Sequence, residues 1–274
     1  MSLFTVDVEK CNHDRLCVEN CPAQIIVFDD DCQIPLPSED AEEICISCGH
    51  CVAICPTGAL SHTSMTPEDC QPIQRELLPR PEQVEHFLRS RRSIRTYTDQ
   101  TVDRKLLTHM INTACYAPTG GNSQPVQWHI IYDPNEVQRL AGLVVDWMRH
   151  TMQKQPTYAT DLHLNRLVAD WDSGKDRICR SAPHVVIAHA SKDHGSALSS
   201  CTIALTYLEL VAYGSGLGAC WAGYFTAAAN LWPPMMKALG LPDGHKCFGA
   251  MMIGYPKYKY RRISLRNPAK ITQY

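Results

Sequence analysis

The feature that most constrains this chain is the stretch Cys45–Pro56, CISCGHCVAICP. Its cysteines stand at Cys45, Cys48, Cys51 and Cys55, and a proline follows the last of them. The pattern C-x2-C-x2-C-x3-C-P is a spacing at which thiolates hold iron–sulfur clusters. A module organised round such a run is expected to be small and poor in apolar core, so that bound metal supplies much of its stability. The remainder of the chain is read as giving electrons to such a centre or taking them from it.

A second half-motif lies upstream. Cys11, Cys17, Cys21 and Pro22 fall on the same template, with Asp14 at the second ligand position. The segment is therefore an internal repeat with one half altered, and residues 1–70 resemble the two-cluster bacterial ferredoxin family. In that family the fourth cysteine of each run ligates the other cluster. The resemblance implies one [4Fe–4S] cluster on Cys45, Cys48, Cys51 and Cys21, and a second on Cys11, Cys17, Cys55 and the Asp14 position. Three states are open at Asp14: a carboxylate-ligated fourth iron, a three-iron [3Fe–4S] cluster without a fourth ligand, or an empty site. An occupied site is favoured, because the other three ligands and the proline are kept. A carboxylate is a harder ligand than a thiolate, so the fourth iron should exchange more readily. Cys32 is a conceivable substitute ligand. Zinc on four cysteines is the competing reading, and the two interlocked runs argue against it. Ile25–Phe28 and Ala59–His62 are β-prone and are expected at hairpin edges.

The composition sets the outer limits. The chain has 274 residues, 45% of them hydrophobic, enough for one large or two smaller domains. A net charge of −2 lacks the electrostatic footprint of a nucleic-acid binder. No apolar run approaches the roughly 20 residues of a membrane span, and the N-terminus does not read as a signal peptide. Of the 14 cysteines, eight lie between Cys11 and Cys55. That clustering points to a reducing, cytoplasmic setting rather than a disulfide scaffold. The scattered six (Cys70, Cys115, Cys179, Cys201, Cys220 and Cys247) are expected as small buried hydrophobes. Pro72, Pro79 and Pro81 mark a stiff, extended connector. The expected division is an iron–sulfur domain over 1–75, a linker over 76–83 and a second domain over 84–274.

In the second domain Val84, Phe87 and Leu88 sit at helical spacing, and Arg91, Arg92, Ser93 and Arg95 follow at the helix end. Guanidinium forks and a hydroxyl there suit phosphate oxygens, although such a cluster is more often a solvated surface. Asp103 is a plausible N-cap for a helix with an apolar face through Leu106, Leu107, Met110, Ile111 and Ala114. Pro118, Gly120 and Gly121 then make a tight loop carrying the amides of Asn122 and Gln124, before a strand over 127–132. Ala141–Met152 has a helical pattern that Pro156 interrupts. Trp147 and Trp171 are weighed as core side chains more than substrate contacts, His150 and His163 as surface, and His184 as core or edge. Ser196–Tyr213 is a long, mostly apolar helix running into Gly216-Leu217-Gly218-Ala219-Cys220-Trp221.

The ordered set RRSIRTYT, APTGGNSQP, GLGACW and Gly254-Tyr255-Pro256 with Arg262 resembles the FMN-dependent nitroreductase family over about residues 84–274. The fold class implied for the whole chain is α+β, a ferredoxin-like 2[4Fe–4S] domain followed by a three-layer α/β/α nitroreductase fold. The resemblance implies FMN as cofactor. Arg91, Ser93, Arg95 and Arg262 match its phosphate and polar tail, with Arg92 beside them, and Lys259 and Arg261 match less securely. Asn122 and Gln124 match the pyrimidine edge. The segment Gly216, Leu217, Gly218 matches the backbone near flavin N5, where glycine would leave room for the ring. A homodimer with interfacial flavins is also implied. The expected function is electron passage from an external donor (ferredoxin, flavodoxin or NAD(P)H) through the clusters to FMN. From there a small-molecule acceptor, by family default a nitroaromatic, is reduced. Enones, quinones, azo or halogenated compounds are alternative acceptors. A carrier serving a partner redox protein and a cluster-based sensor are the non-enzymatic alternatives.

Overall fold

The computed structural model describes residues 2–29, 31 and 33–273. The chain divides into two compact units. One runs to Pro79 and takes in Gly121–Ser123; the other comprises Arg80–Gly120 and Gln124 onward.

The first unit is built from short elements: β1 (Phe4–Val6), α1 (Leu16–Glu19), β2 (Ile26–Asp29), β3 (Ile34–Pro37), α2 (Ala41–Ile44), α3 (His50–Ile54) and β4 (Leu60–His62). β1 pairs antiparallel with β4, and β2 with β3. The two β-prone stretches become β2 and β4 within a residue of their expected bounds. Each cysteine run wraps a single short helix, with Cys17 in α1 and Cys51 in α3. Among the described residues the buried apolar side chains are few: Phe4, Ile25, Ile26, Ala41, Val52, Ala59 and Leu60. Cys32 lies outside the described residues.

The expected extended linker over 76–83 is partly helical. A 3-10 turn covers Arg75–Leu77, and α4 (Pro81–Ser90) begins inside the segment. Pro81 occupies the first helical position, where its missing N–H costs nothing and its fixed φ suits the helix. The Arg80 N–H donates to Gln83 Oε1 at 2.8 Å and closes that end.

The second unit continues from α4 through α5 (Arg104–Ala114), β5 (Gln127–Ile131), α6 (Pro134–Lys154), α7 (Pro156–Asp161) and α8 (Leu164–Asp172). Then come β6 (His184–Ser191), α9 (Ala197–Gly214), β7 (Gly218–Trp221), α10 (Gly223–Leu231), α11 (Pro233–Leu239) and β8 (His245–Gly254). Asp103 caps α5, accepting from the N–H groups of Lys105 and Leu106 at 2.8 and 3.2 Å. The four strands form an antiparallel sheet in the order β5-β6-β8-β7. β6 and β8 are central and covered on both faces, which is why HVVIAHA is a nearly continuous apolar run. Their side chains alternate between two cores. Val185, Ile187, Ala250 and Met252 join the core of α6, α10 and α11. Val186, Ala188, Met251 and Ile253 join that of α5 and α9. The sheet is thus the middle of three layers.

Cys179, Cys201, Cys220 and Cys247 are buried as expected, but Cys70 is half-buried and Cys115 is exposed. Cys115 follows the last turn of α5, past the apolar face that ends at Ala114.

Candidate functional site

The first unit encloses two cavities lined by the expected ligand sets. Cys21, Cys45, Cys48 and Cys51 line one. Cys11, Asp14, Cys17 and Cys55 line the other. Cys21 and Cys55 therefore each serve the cavity opposite their own run. Thiolates on one zinc ion, each about 2.3 Å from it, crowd to within about 4 Å of one another. Among the described residues no three His, Cys, Asp or Glu side chains converge in that way. Four cysteines round one cavity, and three with an aspartate round the other, are donor sets of the kind that hold iron–sulfur clusters.

Local structure presents these sulfurs. The turns before α1 and α3 use left-handed backbone at His13, Arg15, Ser47 and Gly49. Asp14 Oδ1 accepts from the Leu16 N–H at 3.1 Å, which fixes the carboxylate on the cavity wall. Burial raises the pKa of the Cys17 thiol, and pushes that of Cys51 to about 11. At Cys55 burial is outweighed by hydrogen bonds from Thr57 and the Ala59 N–H, and the pKa falls. A metal held at Cys17 or Cys51 would therefore displace a thiol proton. His62, only 6% exposed, lies 3.5 Å from Cys45 Sγ through Nε2. Its Nδ1 accepts the Ser64 N–H at 3.0 Å, so Nε2 carries the proton and donates to the sulfur.

The residues matched to the flavin are distributed over several places. A cavity of about 390 Å³ gathers Arg92, Gly216, Leu217 and Arg262 with Ser90 and Tyr213. Lys259 and Arg261 also line it. Arg91 instead donates through Nη1 to Glu209 Oε1 at 2.7 Å, in a largely buried ion pair. Arg95 lines a second cavity beside Cys220 and Trp221. The Ser93 carbonyl accepts from Arg95 Nη1 at 3.5 Å, the limit of a hydrogen bond. Gln124 lines a third, smaller cavity, its N–H donating to Thr119 Oγ1 at 3.1 Å. Asn122 groups with the first unit and not with the other flavin-matched positions.

The glycine segment has a packing rationale that the sequence did not reveal. A Cβ on Gly218 would stand 2.6 Å from Ile94 Cβ and Cγ1, so the glycine makes room for Ile94. Gly216 adopts φ +76° at the end of α9, a conformation that favours glycine. Sequence reasoning also missed Glu209 and His62. Glu209 is the sole charge in the apolar α9, and an isolated charge in a buried helix signals a partner.

Comparison with known proteins places both halves. The Nitroreductase family profile matches residues 88–255. The chain belongs to the nitroreductase family. A 4Fe-4S dicluster domain matches residues 9–60. The chain is 24% identical over 190 residues to human iodotyrosine deiodinase 1, covering 67% of this chain and 64% of that protein. It thus spans less than two thirds of that relative. A putative NADH dehydrogenase/NAD(P)H nitroreductase of Archaeoglobus fulgidus is 25% identical over 170 residues, covering 61% of this chain and 82% of its own. Among solved structures, an FMN-bound nitroreductase of Bacteroides fragilis aligns with TM-score 0.57 and 18% identity, over 69% of this chain and 98% of its own. One from Desulfitobacterium hafniense has TM-score 0.57 and 19% identity, over 71% and 99%. These likenesses place the three-layer unit in the nitroreductase fold. The chain thus joins a nitroreductase-family domain to a 4Fe-4S dicluster domain, and the two solved neighbours carry bound FMN. The donor set fits the cofactor: the Arg92 and Arg262 cavity offers cations and hydroxyls for a phosphate and polar chain, with tyrosine rings beside them.

Proposed function

We propose that this protein is an iron–sulfur flavin reductase in which electrons from an external low-potential donor enter at the cluster domain and leave to a nitroaromatic at the nitroreductase domain. The observation that carries this reading is the pair of cavities with crossed ligand sets in a chain that also holds a nitroreductase domain. When bound, the clusters supply one-electron carriage, and FMN supplies two-electron transfer to an organic molecule on its face. The overall change is a nitro group taking two electrons and two protons to give a nitroso group and water, and then two more of each to give the hydroxylamine.

The chain's own residues hold and insulate. Cys21, Cys45, Cys48 and Cys51 hold one cluster, and Cys11, Cys17 and Cys55 hold the other, with Asp14 as its fourth, exchangeable ligand. Arg92 and Arg262 anchor the anionic end of the flavin. Glu209 neutralises Arg91, so this arginine braces α9 against the segment after α4. The pieces of the flavin site left apart in one chain are completed by a second copy. Its contact surface includes the tail after β8, where Tyr258, Tyr260, Leu265 and Ile271 are exposed, Leu265 at 98%.

The similarity to iodotyrosine deiodinase 1 favours one second reading, reductive dehalogenation. There a carbon–halogen bond takes two electrons and one proton to give a C–H bond and a halide ion. Replacing Cys48 by Ser tests the electron entry. Turnover with reduced ferredoxin should fall at least about tenfold, while turnover driven by dithionite persists. Undiminished turnover with ferredoxin would remove the clusters from the path.

A further inference from the structure

The second cavity of the nitroreductase domain, about 420 Å³, is walled by Trp147, Tyr158, Trp221 and Tyr224 and reached by the guanidinium groups of Arg95, Arg177 and Arg180. No Asp or Glu is among the residues that line it. Arg177 is already paired, its Nε 3.2 Å from Asp170 Oδ2. Arg95 has only the marginal bond to the Ser93 carbonyl. Arg180 makes no hydrogen bond or ion pair among the described residues. The thiol of Cys220, beside them, supplies no counter-charge. Burial raises its pKa against the opposing pull of Arg95 and Arg180, and it stays neutral.

The backbone spends conformational freedom to put Arg180 there. Arg180 and Ser181 are consecutive non-glycine residues at φ +57° and +53°. The carboxylate of Asp176 holds the loop, Oδ1 accepting from the N–H groups of Ile178 and Cys179 at 2.7 and 2.9 Å, and Oδ2 from Ser181 at 2.8 Å. Cys179 is fully buried beneath it. Strained backbone persists where the surroundings over-determine it, and such places cluster at binding sites. Here the braced loop delivers an unpaired planar cation into an aromatic cavity of a size that admits a single substituted ring.

We propose that Arg180, with Arg95 beside it, forms an anion subsite that selects an aromatic acid as the acceptor, the ring lying among Trp147, Tyr158 and Trp221 and the carboxylate taken by the guanidinium fork. The inference rests on the reading of this domain as a reductase of aromatic acceptors, and it deepens that reading by naming the substrate's charge. A guanidinium matches a carboxylate in two parallel hydrogen bonds, whereas a neutral ester offers only weak acceptors.

The test compares 4-nitrobenzoate with methyl 4-nitrobenzoate, binding measured by calorimetry and turnover measured alongside. The proteins are the FMN-loaded wild type, Arg180→Asn and Arg180→Lys. Asparagine tolerates the left-handed backbone at this position, so a collapsed loop does not explain its effect. The wild type should bind the carboxylate more tightly than the ester. In Arg180→Asn that preference should shrink by about 10- to 100-fold, the worth of a hydrogen-bonded charge, and Arg180→Lys should restore part of it. Three results overturn the proposal: no preference in the wild type, an unchanged preference in Arg180→Asn, or a fall in FMN content in that variant, which would assign the guanidinium to the cofactor. A preserved binding preference with neither compound reduced would leave the anion subsite standing and remove nitro reduction as the domain's reaction.

Discussion

His62 lies where a side chain would act on a cluster held at Cys45 without ligating it. The Ser64 N–H fixes its tautomer, and the remaining ring N–H points at Cys45 Sγ. A hydrogen bond to a ligand sulfur stabilises the more negative, reduced cluster. Replacing His62 by Leu should lower that cluster's midpoint potential, and replacing it by Gln, which keeps an N–H donor, should lower it less. A net bond of about 1 kcal/mol corresponds to about 40 mV for one electron, within reach of an EPR-monitored potentiometric titration. An unmoved potential in His62→Leu would mean the bond is not made once iron is bound. At the same scale lie the limits of reading a sequence. The dicluster domain was legible because its cysteine spacing is set within a dozen residues. The destinations of Arg91, Arg92 and Arg95 were not, because each depends on a group far along the chain. Arg91 meets Glu209, Arg92 meets Ser264, and Arg95 faces Cys220. Arg180 belongs to no motif at all.

Among the elements, the strands β5, β6 and β8 carry a titratable seam. His189 on β6 is only 4% exposed, and its Nδ1 lies 2.9 Å from that of His245 on β8. One ring donates to the other, so a further proton at the accepting Nδ1 would set two N–H groups against each other and cost the bond. Burial, with His245 and His129 nearby, lowers the His189 pKa from 6.5 to about 4. Between those values the unfolded chain binds a proton that the native chain refuses, so stability falls as pH drops through this window. The melting temperature of the nitroreductase domain should decline from pH 6.5 towards 4, with a shallower slope in His189→Gln. Equal slopes would assign the acid sensitivity elsewhere. His184, at the other end of β6, is the contrasting case. It accepts from the Val102 N–H and donates to the Tyr132 carbonyl, both at 2.8 Å, and so serves as a buried neutral strut. The layers themselves were legible, because apolar runs and caps are local signals. The start of α4 at Pro81 was not, because a proline that reads as a breaker also suits a first helical turn.

At the scale of the whole molecule, the two units rest on different sources of stability. The nitroreductase domain has two extensive cores on either side of its sheet. The iron–sulfur domain has only seven buried apolar side chains among its described residues, too few to order a chain of that length without metal. Anaerobic iron chelation should therefore abolish the calorimetric transition of the first unit and leave that of the second. A single transition that survives chelation unchanged would show that the thiol-lined cavities do not stabilise the fold through iron.

The crossing of Cys21 and Cys55 has a consequence for assembly. A cut anywhere between Cys21 and Cys45 would leave each fragment with three ligands of one centre and a single ligand of the other. Neither fragment could complete a ligand set, so neither half would mature on its own. During synthesis the set on Cys21, Cys45, Cys48 and Cys51 would be complete as soon as Cys51 emerges, and the set on Cys11, Asp14 and Cys17 would wait for Cys55. The interlock would set an order of loading, since residues 21–51 already hold one full ligand set and the other needs the whole of 11–55.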